Sequence, residues 1–210
     1  MSNEQTSQNT RDPGHAPAGR RYGDLDATEF GDVGEVPKDD IRLEAFAAAE
    51  EANSAIGNAL AVAGYEVEVA RTLTSVQNDL FDLASDLGTP QESHPDAVRI
   101  EADHVAWVER ARDHFGAELS DVDGFVLPGG TLYAALLYQA RVAVRRAERT
   151  VVRAAREHPD EINPLIAKYL NAASSLLFVL ARAHNTEHGD MMWRPLASIT
   201  PPEGSRPQGG

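Results

Sequence analysis

The sequence predicts an all-α bundle of five helices, and three observations lead there. Apolar residues recur at spacings of three and four along separate stretches. Cap and stop residues bracket those stretches, and strand alternation is absent over any useful length.

In chain order, residues 1–19 are rich in Ser, Asn, Gln, Pro and Gly without apolar periodicity, so a disordered tail is expected. Residues 20–195 form the helical domain and 196–210 a second disordered tail. Within the domain, 20–36 reads as a loop punctuated by Gly23, Gly31 and Gly34. Asp39 or Asp40 caps a first helix running to about Ala63, with Leu43, Phe46, Ile56 and Leu60 turned inward and Gly64 as its stop. A second helix spans Val67 to Leu87 and ends at Gly88-Thr89-Pro90. The third runs from about Asp96 to Phe115. A loop follows that reads Gly124-Phe-Val-Leu-Pro-Gly-Gly130. Thr131 caps a fourth helix that reaches Glu157, where His158-Pro159 breaks it, and the fifth extends from Pro164 to His184.

Composition narrows the function. The 210 residues carry 33 Asp+Glu against 19 Lys+Arg, a formal net charge of -14, which argues against a nucleic-acid or anionic-membrane partner. No run of about 18 apolar residues suggests a membrane span, and residues 1–11 lack the apolar segment of a secretory signal. A cytoplasmic protein is expected. With no cysteine, disulfides, thiolate metal sites and a Cys nucleophile are excluded. The seven histidines form no His-Glu-x-x-His arrangement, so no protein metal site is expected. Gly-x-x-x-x-Gly-Lys-Ser/Thr and Gly-x-Ser-x-Gly loops are absent too.

The fourth helix breaks the acidic pattern. Arg141, Arg145, Arg149 and Arg153 recur every four residues and share a face; with Arg146, Arg156 and one acid, Glu148, residues 131–156 sum to +5, leaving -19 for the remainder. Two readings are open at this point. The stripe is an anion cradle, since guanidinium groups grip phosphate oxygens bidentately, or it is a salt-bridged face paired with acids such as Glu50 and Glu51. Phe125 invites a similar pair of readings: an aromatic ring laid against a flat apolar ligand, or the buried anchor of an ordinary connection. Trp107 and Trp193 read as packing residues.

Several segments together resemble the PduO-type ATP:corrinoid adenosyltransferases. They are Val36-Pro-Lys-Asp-Asp40, Arg42-Leu-Glu-Ala-Phe46, Glu50-Glu-Ala-Asn-Ser-Ala-Ile-Gly57, the stretch from Gln77 to Leu87, Phe125-Val-Leu-Pro-Gly-Gly130, Ala135 to Arg149, Lys168-Tyr-Leu-Asn171, Leu176 to Arg182 and Gly189-Asp-Met-Met-Trp-Arg-Pro195. They follow in order from about Tyr22 to Pro195.

The resemblance implies a homotrimer with sites between subunits, moving the 5′-deoxyadenosyl group of ATP, with Mg²⁺, onto the cobalt of reduced cobalamin and releasing triphosphate. Cobalt is itself the nucleophile, so the missing Ser, Cys and His machinery does not count against this chemistry. By the same resemblance Phe125 crowds the lower corrin face. Arg145 binds phosphate in company with Glu148 and Arg149, and Arg141 pairs with Glu50 across the subunit interface. Lys38, Asn171, Gly23, Asp24 and Thr28 border the nucleotide, and a reductase or a B12-dependent enzyme is a candidate partner. The sequence also departs from the pattern. Its nucleotide loop reads Arg20-Arg-Tyr-Gly-Asp-Leu-Asp-Ala-Thr28, with Arg20 for the family's Thr and Asp26 for a Gly. Glu35 stands where Arg is usual, Ala172-Ala-Ser-Ser175 replaces Arg-Leu-Ser-Asp, and Tyr138 replaces a His. A carboxylate at Asp26 puts repulsion where backbone N–H groups would meet phosphate. The second reading is therefore a non-catalytic corrinoid-binding paralogue, a carrier, escort or sensor that binds ATP poorly.

Overall fold

The computed structural model describes residues 26–62, 66–90, 96–187 and 189–199. Among them lie a short hairpin and five helices: β1 (Ala27–Phe30), β2 (Gly34–Pro37), α1 (Ile41–Leu60), α2 (Val67–Leu87), α3 (Ala102–Gly116), α4 (Leu132–Glu157) and α5 (Pro164–Ala183). The helices sit side by side in the order α2, α1, α4, α5, α3. Alanines make the α1–α4 seam: Ala45, Ala48, Ala49 and Ala52 on one helix and Ala140, Ala143, Ala147 and Ala154 on the other are buried, and small side chains let two helix backbones approach closely. Larger residues fill the space beyond, including Leu73, Leu80 and Leu83 of α2 and Tyr169, Leu176 and Leu177 of α5.

α5 is long and apolar enough by composition to cross a membrane. Its apolar residues are satisfied differently: nine of them, from Ile166 to Ala181, are buried against the neighbouring helices.

The caps follow sequence expectation in two places. Asp40 accepts from Arg42 N–H at 2.8 Å and opens α1, and Thr131 Oγ1 accepts from Ala134 N–H at 3.1 Å to open α4. Elsewhere the sequence reading needs correction. Residues 20–36 were expected to be loop, but 27–37 form an antiparallel hairpin, Thr28 facing Val36 across it. Phe30 anchors the hairpin, buried edge-to-face on Phe46 of α1 with centroids 5.6 Å apart. Asp32 N–H donates to Gly88 C=O at the end of α2 at 2.9 Å, and Gly31, at φ +49°, lies so close to that carbonyl that a Cβ would collide with it.

α3 also starts six residues late, at Ala102 rather than Asp96. The cause is Asp86, buried at the end of α2, whose carboxylate accepts from Ile100 N–H, Asn163 Nδ2 and Arg99. A buried carboxylate needs several donors, and drawing Ile100 to it keeps residues 98–100 out of the helix. Finally, α1 ends at Leu60; Gly64, its expected stop, lies outside the described residues.

Candidate active site

α4 sorts its arginines by direction. Arg146 forms an ion pair with Glu51 and Arg153 one with Glu44 at 2.5 Å, seven residues apart on each of two antiparallel helices. This is the salt-bridged reading, realised for two of the six. Arg145 and Arg149 are exposed and take part in no ion pair among the described residues. Glu148 is half-buried between them.

Arg141 is different again. Its guanidinium lies over the Phe178 ring, 5.1 Å from the centroid, and its Nε is buried with no hydrogen-bond partner. Burial, and then the charge of Arg145, lower its pKa. A desolvated donor beside a like charge lacks an acceptor. Glu50, the expected partner, is exposed on α1 and makes no ion pair among the described residues.

The other nucleotide-side candidates cluster toward the same end of the bundle. Lys38 is exposed where β2 runs into α1, its backbone N–H on Asp26 C=O at 2.9 Å. Thr28 is half-buried on β1. Gly23 and Asp24 lie outside the described residues. Asn171 is exposed on α5, eight residues past the connection from α4, and Arg149 stands eight residues before it. At 1.5 Å per residue both are about 12 Å from that turn and so roughly level. The Asn171 carbonyl accepts from the hydroxyls of Ser174 and Ser175 at 2.9 and 3.1 Å, so these replacement residues point back onto their own helix.

The Phe125 loop lies at the opposite end. Phe125 is 73% exposed, so the ring is presented to solvent rather than buried as an anchor. The loop is held by residues to which the sequence reading gave no role. Asn185 Nδ2 donates to Gly129 C=O at 2.8 Å while its Oδ1 accepts from Thr131 N–H at 3.0 Å. Arg182 pairs with Asp190 at 2.7 Å and donates to Ser120 C=O at 2.7 Å. Residues 189–193 then lie alongside the loop, Val126 and Met192 forming an antiparallel bridge. Arg182 and residues 189–193 lie in quoted motifs, but nothing there said what they fasten; Asn185 lies in none of them.

Other motif residues turn out to be framework. Asn53 and Gln77 lock α1 to α2, the Gln77 amide donating to Asn53 Oδ1 at 2.8 Å and Asn53 Nδ2 to Gln77 C=O at 2.9 Å. Tyr138, in place of the family's His, is buried edge-to-face on Phe178. Asp79, Asp82 and His104 place ligand-type atoms within 4.8 Å of one another. Asp79 accepts from the Tyr169 hydroxyl at 2.9 Å, however, and His104 Nδ1 accepts from Glu101 N–H at 3.1 Å in a capping box at the start of α3.

Within one chain the Phe125 loop and Arg145 lie far apart. From Thr131, at the end of the Phe125 loop, to Arg145 is about 21 Å along the helix.

The chain is similar to known proteins in sequence and in fold. A family described as cobalamin adenosyltransferase matches residues 19–184. The chain is similar to a corrinoid adenosyltransferase of Mycobacterium bovis, 44% identical over 178 residues that cover 83% of this chain and 91% of the relative. With a corrinoid adenosyltransferase of Bacillus subtilis the identity is 37% over 160 residues, covering 74% and 80%. Its fold matches that of a variant PduO-type ATP:corrinoid adenosyltransferase from Lactobacillus reuteri, complexed with cobalamin and ATP, at a TM-score of 0.70 and 30% identity, covering 77% of this chain and 88% of that one.

Proposed function

The chain belongs to the cobalamin adenosyltransferase family, and from that premise we propose how its own residues transfer the 5′-deoxyadenosyl group of ATP to the cobalt of a reduced corrinoid. The observation that carries the proposal is the division of labour on α4. Arg146 and Arg153 are tied to acids of α1, whereas Arg145 and Arg149 stand exposed without such partners among the described residues.

The reaction is a displacement. The electron pair of Co(I) forms the Co–C bond as the bond between the 5′ carbon and oxygen breaks, and triphosphate leaves with those electrons. Arg145 and Arg149 hold the triphosphate and stabilise the charge that accumulates on it. Lys38, Asn171 and Thr28 border the nucleotide, with Gly23 and Asp24 ahead of them in the chain. Mg²⁺ travels with the ATP; Glu148 is the hard oxygen donor on the same stripe, suited to that ion directly or through water.

Phe125 serves the other substrate. Its exposed ring occupies the space below the corrin where a lower ligand would sit, and a Co(II) centre without that donor is easier to reduce. The roughly 21 Å between the Phe125 loop and Arg145 supports sites built between subunits of a homotrimer, one subunit offering its arginines and the next its Phe125 loop. Arg141, with its partnerless buried Nε, finds its acceptor in Glu50 of the adjoining subunit. A supply of ATP and of a one-electron donor supports a cytoplasmic location, with a reductase or a B12-dependent enzyme as partner.

The test is to mix the protein with Mg-ATP, cob(II)alamin and a reductant and to follow the absorbance change of Co–C bond formation. Arg145→Ala should lower turnover by about a hundredfold while the oligomer and its corrinoid binding persist. Absence of turnover in the unaltered protein, with calorimetric binding of cobalamin but not of ATP, would favour the carrier reading instead.

A further inference from the structure

An exposed phenyl ring has no packing of its own to choose its rotamer, yet a ring that must fill one particular space needs a single orientation. Phe125 lies outside the hydrophobic core cluster, and its ring contact among the described residues is the indole of Trp193, edge-to-face with centroids 5.8 Å apart. Trp193 is itself half exposed, at 52%, so burying its own surface does not explain its location. Its backbone is fixed to the same residue that its ring touches: Trp193 N–H donates to Phe125 C=O at 2.7 Å, and Leu127 N–H donates to Met191 C=O at 2.8 Å. The Arg182–Asp190 pair ties the start of this segment to α5.

We propose that residues 189–193 are a brace and that Trp193 is a positioning residue, its indole edge setting the orientation in which Phe125 meets the corrin. The proposal rests on the role given to Phe125 above. It goes beyond that role by making the ring's placement depend on a residue 68 positions later in the chain, read at first as simple packing. Trp193 acts through Phe125 and not on the substrate. Its removal therefore slows the step that needs a crowded lower corrin face and spares ATP binding.

A double-mutant cycle in the full-length protein separates the possibilities. Trp193→Ala should reduce turnover from cob(II)alamin by about threefold to tenfold, the range that corresponds to one edge-to-face ring pair, and should weaken the visible absorption signature of cob(II)alamin that has lost its lower ligand. Turnover from chemically supplied cob(I)alamin and the affinity for ATP should be unchanged, and Trp193→Phe, which keeps an aromatic edge, should recover most of the loss. In a Phe125→Ala background Trp193→Ala should cost nothing more. A further loss in that background would show that the indole acts on the corrin or the fold directly, overturning the proposal. So would a Trp193→Ala protein with the full signature while Phe125→Ala lacks it. If Phe125→Ala itself retains the signature, the role assigned to Phe125 fails, and the brace fails with it. Thermal unfolding of Trp193→Phe, expected to match the parent, guards against a general loss of structure.

Discussion

Gly130 shows how much a single position can fix. Its φ of +97° is unfavourable for any residue with a side chain, and a Cβ there would collide with the side chain of Asn185. That asparagine bridges Gly129 and Thr131, so the collision would displace the fastening of the Phe125 loop as well as strain the backbone. Gly130→Ala should destabilise the protein by about 2 kcal/mol or more, read as a lower midpoint in denaturant. Because Asn185→Ala removes both the obstacle and the two hydrogen bonds, the double substitution should cost clearly less than the sum of the singles. Additive losses would mean that the strain is confined to the backbone. Phe125 could be singled out from its setting in a short apolar loop followed by two glycines. Asn185 could not, because its partners are more than 50 residues away and no local pattern announces a side chain that hydrogen-bonds across that distance.

Among the elements, the start of α1 carries the clearest electrostatic consequence. Asp40 caps the helix and shares Arg42 with Glu161: Arg42 reaches Asp40 at 2.7 Å and Glu161 at 2.5 Å, with the arginine and Asp40 side chains both mostly buried. The hydrogen bond from Arg42 is the largest influence on Asp40 and holds its carboxyl below the usual range, against the opposing effect of burial. A depressed carboxyl contributes its stabilisation in full above the ordinary aspartate value of about 3.9 and loses it as pH falls through the lower folded-state value. Asp40→Asn should therefore cost about 1 to 2 kcal/mol at neutral pH, and its stability should fall less steeply than the parent's on acidification. Denaturant titrations from pH 7 down to about pH 2 check both points; parallel acid limbs would remove Asp40 from the linkage. This cap, like that of α4, was legible because capping is a local affair of a few residues. The hairpin was not. Four residues per strand are too few to display alternation, and its anchors are Phe46 and Gly88. The delayed start of α3 has a similar cause, since a buried carboxylate on another helix outbids local helix propensity for the backbone before Ala102.

For the molecule as a whole, net charge conceals what matters. At -14 the chain repels polyanions at long range, so a triphosphate must be held by arginines at short range, where geometry and partial desolvation count for more than the distant field. The same separation of local from global charge bears on assembly. Glu50 lies exposed on α1 and the Arg141 Nε is buried without an acceptor on α4, an arrangement that is incomplete in one chain and complete if each subunit lends its carboxylate to the next. A buried donor without an acceptor is costly, and supplying the acceptor returns most of that cost. If the proposed trimer is joined this way, Glu50→Arg places two like charges at each contact and should shift the protein toward monomer, with loss of turnover at a site shared by two subunits. Arg141→Glu alone should do the same. Combined in one chain, the two substitutions restore opposite charges at every contact, and sedimentation should show the trimer returning at least in part, with turnover following it. If the double variant is no more associated than either single one, Glu50 and Arg141 do not face each other, and the acceptor for Arg141 must be sought on another element.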